Sequence, residues 1–347
     1  MPRFVCPSVM GKPRHPGLLA GMTKKDFYVG DEAQQKRDAL ALSWPMENGL
    51  ITNFDDANKI WRFAFKEIET LPDDQPLIWT EAALINQQQR EKVAEIFYEE
   101  HGVPAIHFGL QSVLSVYSAG ITTALVVDLG DKCDVMPVYE GGSFSHPYEQ
   151  AIKRLKTTGS DITEHLEQIL AERGYHFTTP AEREIVNYLK EQTTYVSLTP
   201  DSEITQETSL LLPDGQTITI GNERYRAPEV LFAPALAGKE GMGLHALVYH
   251  SIMESGIDMR VELARSILLI GGTSMIPGLA PRIEKELSLL APSQKWEINV
   301  IVPNDRKYAA WIGGTILASI DSFEKLCIAK EMWTEIGPSV LHDQHTW

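Results

Sequence analysis

The chain has 347 residues, 43% hydrophobic and 22% charged, which is ordinary globular usage and enough apolar material for two cored domains of roughly 100–200 residues each. Lys and Arg number 31 against 47 Asp and Glu, a formal charge of −16; such a surface repels DNA and anionic lipid, so direct nucleic-acid binding is not expected, while basic partner surfaces or a merely solvated acidic exterior both fit. Cys6, Cys133 and Cys327 show no C-x-x-C spacing, which argues against a zinc site or disulfide framework and suits a reducing compartment; no apolar run approaches the ~18 residues of a membrane span, and Met1–Pro7 has no signal-peptide apolar region.

Periods of both helix and strand alternate along the chain, the pattern of an α/β protein. Asn53 before Phe54-Asp55-Asp56 reads as an N-cap with acids in the first turn. Ile60, Trp61, Ala64, Phe65 and Ile68 give the helix that follows an apolar side. Asn86 with Gln89 three residues on predicts a capped helix through Tyr98, stopped by Gly102. The continuous apolar run Ala124–Val127 predicts a strand covered on both faces, running into Asp128-Leu129-Gly130-Asp131. Thr179-Pro180-Ala181-Glu182 is a capping box with Pro at the first helical position, opening a helix to about Gln192. Ser209–Leu212 and Thr217–Ile220 predict a hairpin, with Asp214-Gly215 suited to a type I′ turn. Ser266–Ile270 is a second buried strand, running into Gly271-Gly272-Thr273-Ser274.

A buried strand that ends in an acid and a tight glycine turn presents backbone N–H groups to an anion and a carboxylate to a cation or its waters. Either turn alone is equally well a structural feature; two of them suggest a nucleotide held between related halves. Walker-type, dinucleotide, zinc-protease and serine-hydrolase motifs are absent from the sequence. His342 and His345 near the C-terminus read as a solvated tail.

Beyond these patterns, longer stretches resemble the actin family. They are Gly11-Lys12-Pro13-Arg14-His15-Pro16-Gly17, Lys25–Gln34, Trp44-Pro45-Met46-Glu47-Asn48-Gly49-Leu50-Ile51-Thr52-Asn53, Glu172–Thr179, Leu212–Arg224, Arg306-Lys307-Tyr308 and Trp311-Ile312-Gly313-Gly314. The resemblance is nearly collinear from Pro2 to the end. It implies an actin-like two-lobed ATPase fold of duplicated ribonuclease H-like domains, holding ATP or ADP with Mg²⁺ or Ca²⁺. The implied outer lobe is 1–118 with 308–347, its small subdomain 8–44; the implied inner lobe is 119–307, its small subdomain 158–239. Filament contacts are implied near His15–Lys25 and Ala235–Gly243.

Carried over residue by residue, Asp128, Gly130 and Asp131 fall on the second phosphate loop, and Gly271, Gly272, Thr273 and Met275 on the nucleotide-contacting turn. Gly159, Lys190, Glu191 and Lys307 fall on the adenosine pocket. Asp128 is the implied cation residue, acting through water, and Gln111 matches the glutamine that orients the attacking water. The departures are as informative. No counterpart of the family's first phosphate loop precedes Pro2, so a first strand hairpin is expected to be missing. In the second loop Leu129 replaces a hydroxyl donor, Lys132 replaces a glycine, and Asp134 lies near the place of a lost histidine. Asn187 stands for the arginine of the adenosine pocket and Asn48 for a surface histidine. Gly142–Gln150 is lengthened, Ser197–Leu211 shortened, and the ending Gln344-His345-Thr346-Trp347 differs. Lys132 either supplies a cation to phosphate or points to solvent and obstructs the loop.

The expectation is a cytoplasmic, cytoskeletal actin-like subunit with weakened nucleotide binding, at most a weak ATPase, associating with actin or actin-related subunits and actin-binding proteins. The alternatives are a conventional polymerising actin ATPase with a truncated start, and, less favoured, a small-molecule kinase of the same wider fold.

Overall fold

A computed structural model describes residues 1–14, 25–143, 146–212, 215–292 and 296–343. The contact loop expected from His15, up to residue 24, lies outside them, as do Pro213, Asp214 and the ending from Gln344. The chain forms two compact units: Met1–Leu110 with the described chain from Gly314 on, and Gln111–Gly313. The sequence reading put the divisions near 118 and 307 instead. Helix Gln111–Ser118 goes with the second unit because it packs on that unit's central strands.

In the first unit, β1 (Met10–Pro13), β2 (Tyr28–Val29) and β3 (Leu40–Ser43) form an antiparallel sheet in the order β2-β1-β3. Helix α1 (Phe54–Glu67) begins where Asn53 accepts the Asp56 N–H, as its sequence requires. Strand β4 (Leu77–Glu81) precedes α2 (Gln87–Glu95), which is continued by one π-helical turn to Glu100. Asn86 caps α2, but Gln89 does not complete the box. Its amide instead clasps the backbone of Ile51, accepting from the N–H (3.1 Å) and donating to the carbonyl (3.0 Å). Tertiary pairing with a strand edge has outcompeted the local motif. Strand β5 (Ala105–Leu110) is parallel to β4 and antiparallel to the short strand Ile328–Ala329. The core here is aromatic: Trp61 stacks on Phe97 (4.9 Å) and Tyr98 on Trp333 (5.4 Å), with Tyr98 donating to the Ile328 carbonyl.

The second unit opens with α3 (Gln111–Ser118). Its sheet is built on β6 (Ala124–Leu129) and β7 (Cys133–Tyr139), a tight antiparallel pair, with β8 (Lys153–Leu155) antiparallel to β7. Helices α4 (Gly159–Ala171) and α5 (Pro180–Thr193) pack on each other, and Thr179 and Glu182 form the expected capping box. Strands β9 (Thr208–Leu211) and β10 (Thr217–Ile220) form the hairpin. After α6 (Leu244–Glu254), β11 (Ile267–Ile270) inserts parallel to β6 and β12 (Val300–Ile301) parallel to β11. Val126, Val127, Leu268 and Leu269 are all buried, so the apolar runs are strands covered on both faces.

The turn expected at Asp214-Gly215 falls partly outside the described residues; at its edges Leu212 donates to the Gln216 carbonyl (2.8 Å), and Gly215, at φ +85°, donates to the Leu212 carbonyl (2.9 Å). A two-residue turn with both residues at positive φ occurs at Asn48 (φ 52°) and Gly49 (φ 73°), between paired Glu47 and Leu50.

Candidate functional site

Because β6 and β11 are parallel neighbours, the turns that follow them leave the same edge of the sheet. Gly271 takes φ +87°, and a Cβ there would come within 2.4 Å of the Leu129 carbonyl oxygen and 2.7 Å of Asp128 Oδ1. Only glycine fits so close to the other strand's end. Its N–H donates to the Arg306 carbonyl (3.1 Å), and Ser274 Oγ donates to the Gly271 carbonyl (2.6 Å). The Arg306 guanidinium in turn donates to the carbonyls of Ser274 and Pro303.

A third segment joins the two turns. The N–H of Gly159, the first residue of α4, donates to the Gly130 carbonyl (3.1 Å), and a Cβ on Gly159 would lie 2.5 Å from Thr273 Oγ1. Lys190 from α5 reaches across to donate to the Gly159 carbonyl (3.1 Å) and Thr163 Oγ1 (2.9 Å). Burial pushes the Lys190 ammonium below its ordinary range. Thr163 in turn contacts Asn187 (3.5 Å). At the start of α4, Asp161 accepts from the Thr158 N–H (2.7 Å) and pairs with Lys239 (2.7 Å), which ties down the loop expected at Ala235–Gly243.

These segments enclose a cleft of about 400 Å³ lying wholly within the second unit, a volume that suits a small molecule. Of the residues taken from the sequence, Gly130, Asp131, Gly159, Lys190, Glu191, Gly272, Thr273, Met275 and Lys307 line it. Asp128, Lys132, Gly271 and Gln111 do not: Gly271 is packed against the Leu129 carbonyl, and Gln111 opens α3 with its carbonyl bound by Ser115 Oγ. The sequence reading missed Ser160 and Ile276, which also line the cleft; each directly follows a named residue, and that adjacency was the available signal. It also missed the positioning role of Arg306.

The other strand end is a charge cluster. Asp128 and Asp134 face each other across β6 and β7. Lys132 Nζ pairs with Asp134 Oδ2 at 2.7 Å and Arg154 Nε donates to Asp134 Oδ1 at 2.9 Å. Asp134 is buried and the Lys132 side chain is 11% exposed, so Lys132 does not point to solvent. Burial, reinforced by the Asp134 carboxylate, pushes the Asp128 carboxyl up to about 7, and Lys132 opposes the shift.

The lining residues fit a nucleotide. A methyl added at Gly272 would meet no atom within 4 Å, so this backbone lies open, and Lys190 and Lys307 bring cations to the wall. The residues fit a divalent ion poorly. Both oxygens of Asp134 are taken by nitrogen donors, and among the described residues no group of three or more His, Cys, Asp or Glu side chains could hold a metal. Nor, among those residues, is any helix long and apolar enough to cross a membrane.

The family model for actin matches residues 1–346. Its members generally bind nucleotide with a divalent metal, and the mixed α/β units described above are consistent with the actin-like ATPase fold. With nearly the whole chain inside the match, this protein belongs to the actin family.

Proposed function

We propose that the chain is an actin-like cytoskeletal subunit that holds ATP or ADP in the cleft of its second unit, with affinity and hydrolysis weaker than an ordinary actin. The observation that carries this reading is the meeting of three backbone turns at Gly159, bounded by Thr273 and Gly130 and pinned by Lys190. Exposed turn amides suit phosphate oxygens. Lys307 and the remaining donor capacity of Lys190 suit the anion and sugar, and Met275 with Ile276 suits an apolar base face. A bound nucleotide supplies the phosphoanhydride bond; the chain's own groups bind and orient it.

Three substitutions support the weakening. Leu129 offers no hydroxyl, Lys132 is engaged with Asp134, and Asn187 contacts Thr163 where the family has an arginine. A lost charge-assisted hydrogen bond costs about 1.5–3 kcal/mol, so two such losses account for orders of magnitude in Kd. In this reading the chain works in the cytoplasm as a filament or complex subunit, with actin or actin-related subunits and actin-binding proteins as partners.

Calorimetric titration of ATP and ADP into the purified chain and into Gly272→Leu tests the assignment. The added Cβ enters open space, so the variant is expected to keep its fold while losing nucleotide by about tenfold or more. Undiminished binding by Gly272→Leu, or no binding by the parent chain, refutes the site.

A further inference from the structure

The cluster at the end of β6 is complete in a way that a cation site is not. Two carboxylates, Asp128 and Asp134, face each other by strand register. Two cations answer them, Lys132 and Arg154, so the formal charges of the four sum to zero. Each Asp134 oxygen has its own nitrogen donor, Lys132 on Oδ2 and Arg154 on Oδ1. The Lys132 ammonium also interacts electrostatically with Asp128, and its side chain is enclosed almost as fully as Asp134's.

Mg²⁺ keeps several of its waters and needs only one or two carboxylates with oxygens to spare. To use Asp134 here, a divalent ion would have to displace a buried ammonium or a guanidinium, and its two positive charges would go uncompensated in a cluster whose formal charges already balance. Lysine is a compact point charge on a flexible stem, which is the form a stand-in for a small cation requires.

We propose that Lys132 is the resident cation of this loop. Its ammonium supplies the charge that a divalent ion would otherwise bring to Asp128 and Asp134, so the unit folds, and takes its nucleotide, without Mg²⁺ or Ca²⁺. The claim about folding stands on the cluster alone; the claim about nucleotide rests on the reading proposed above.

Thermal unfolding of the full chain without nucleotide, in EDTA and in millimolar Mg²⁺, separates the two. The parent chain and Lys132→Arg are expected to unfold at the same temperature in both solutions. Lys132→Met, with its acids uncompensated, is expected to unfold lower in EDTA and to regain about 3 °C or more in Mg²⁺, because a ligand that binds only the folded state raises its stability. A parent chain stabilised by Mg²⁺, or a Lys132→Met variant indifferent to it, overturns the proposal. If Lys132→Met does not fold at all, the double variant Lys132→Met/Asp128→Asn decides. Recovery of a folded, Mg²⁺-indifferent protein supports the charge argument, and failure to fold overturns it in favour of a packing role for the lysine stem. For nucleotide, ADP is expected to bind the parent chain equally in EDTA and Mg²⁺, and a preference of about tenfold for Mg²⁺ counts against the resident cation. Absence of any ADP binding refutes the nucleotide reading and leaves the thermal result to judge the cluster.

Discussion

Two turns leave the second unit's sheet side by side, one after β6 and one after β11, and different forces hold them. The turn at Gly271 is fixed by backbone. A left-handed glycine, a donated N–H and the close approach of the Leu129 carbonyl leave no room for a side chain. The turn at Gly130 to Asp134 is fixed by charge, with Asp134 gripped from two sides and Asp128 opposite it. A backbone-fixed turn tolerates no added atom but is indifferent to charge. A charge-fixed turn tolerates changes of shape but not the loss of one partner. The first therefore leaves the backbone at Gly272 open to a ligand, whereas the second has its lysine committed to the protein.

The largest expected effect is at Gly271. Gly271→Ala places a methyl against two oxygens and forces a non-glycine residue to φ +87°. Strain of that kind combined with a backbone collision costs about 3–5 kcal/mol, read as a fall in the urea midpoint with unchanged slope. A loss below about 1 kcal/mol would mean that the turn can shift, and the contrast with the neighbouring turn would fail. Next comes Asp134→Asn, which keeps the shape and removes the charge between Lys132 and Arg154. Breaking a buried pair on one side costs about 3–5 kcal/mol, discounted here to about 2–3 because Arg154 is nearly half exposed. Added salt should change the loss little, since the pair with Lys132 is enclosed; a strong salt dependence would place this cluster in solvent.

The backbone-fixed turn was the more legible of the two in the sequence. Continuous apolar runs announced both strands, and glycines at 271 and 272 announced the turn. The capping box at Thr179 was equally clear because all its partners lie within four residues. What was not legible depended on register. The facing of Asp128 and Asp134 follows from how β6 pairs with β7, and Arg154 arrives from β8. No local pattern encodes that meeting, so Lys132 was read as facing either phosphate or solvent. Gln89 was misread for the same reason, since its partner Ile51 is 38 residues away.

Arg154→Met sharpens the contrast from the solvent side. Arg154 is 45% exposed and Lys132 11%, so the two cations on one carboxylate are not equivalent. Water takes over much of what Arg154 gives to Asp134. The expected loss is below about 1 kcal/mol, the range of exposed pairs, and adding salt should shrink it further. A loss as large as that of Asp134→Asn would show that Arg154, rather than Lys132, holds the loop.

The smallest effect is expected one residue from the largest. Gly272 takes φ −64°, ψ −40°, a conformation open to any residue, and a Cβ there meets nothing within 4 Å. Gly272→Ala should therefore leave stability within about 0.5 kcal/mol of the parent, with a slight gain from the reduced freedom of the unfolded chain. Gly271 and Gly272 are identical in sequence terms and adjacent, so composition, solvent and temperature cancel between the two variants. What remains is the backbone conformation and the Leu129 carbonyl. Comparable losses from Gly271→Ala and Gly272→Ala in parallel urea unfolding would mean that the whole turn, and not one left-handed residue, resists side chains. The open backbone at Gly272 would then no longer distinguish the wall of the cleft from its floor.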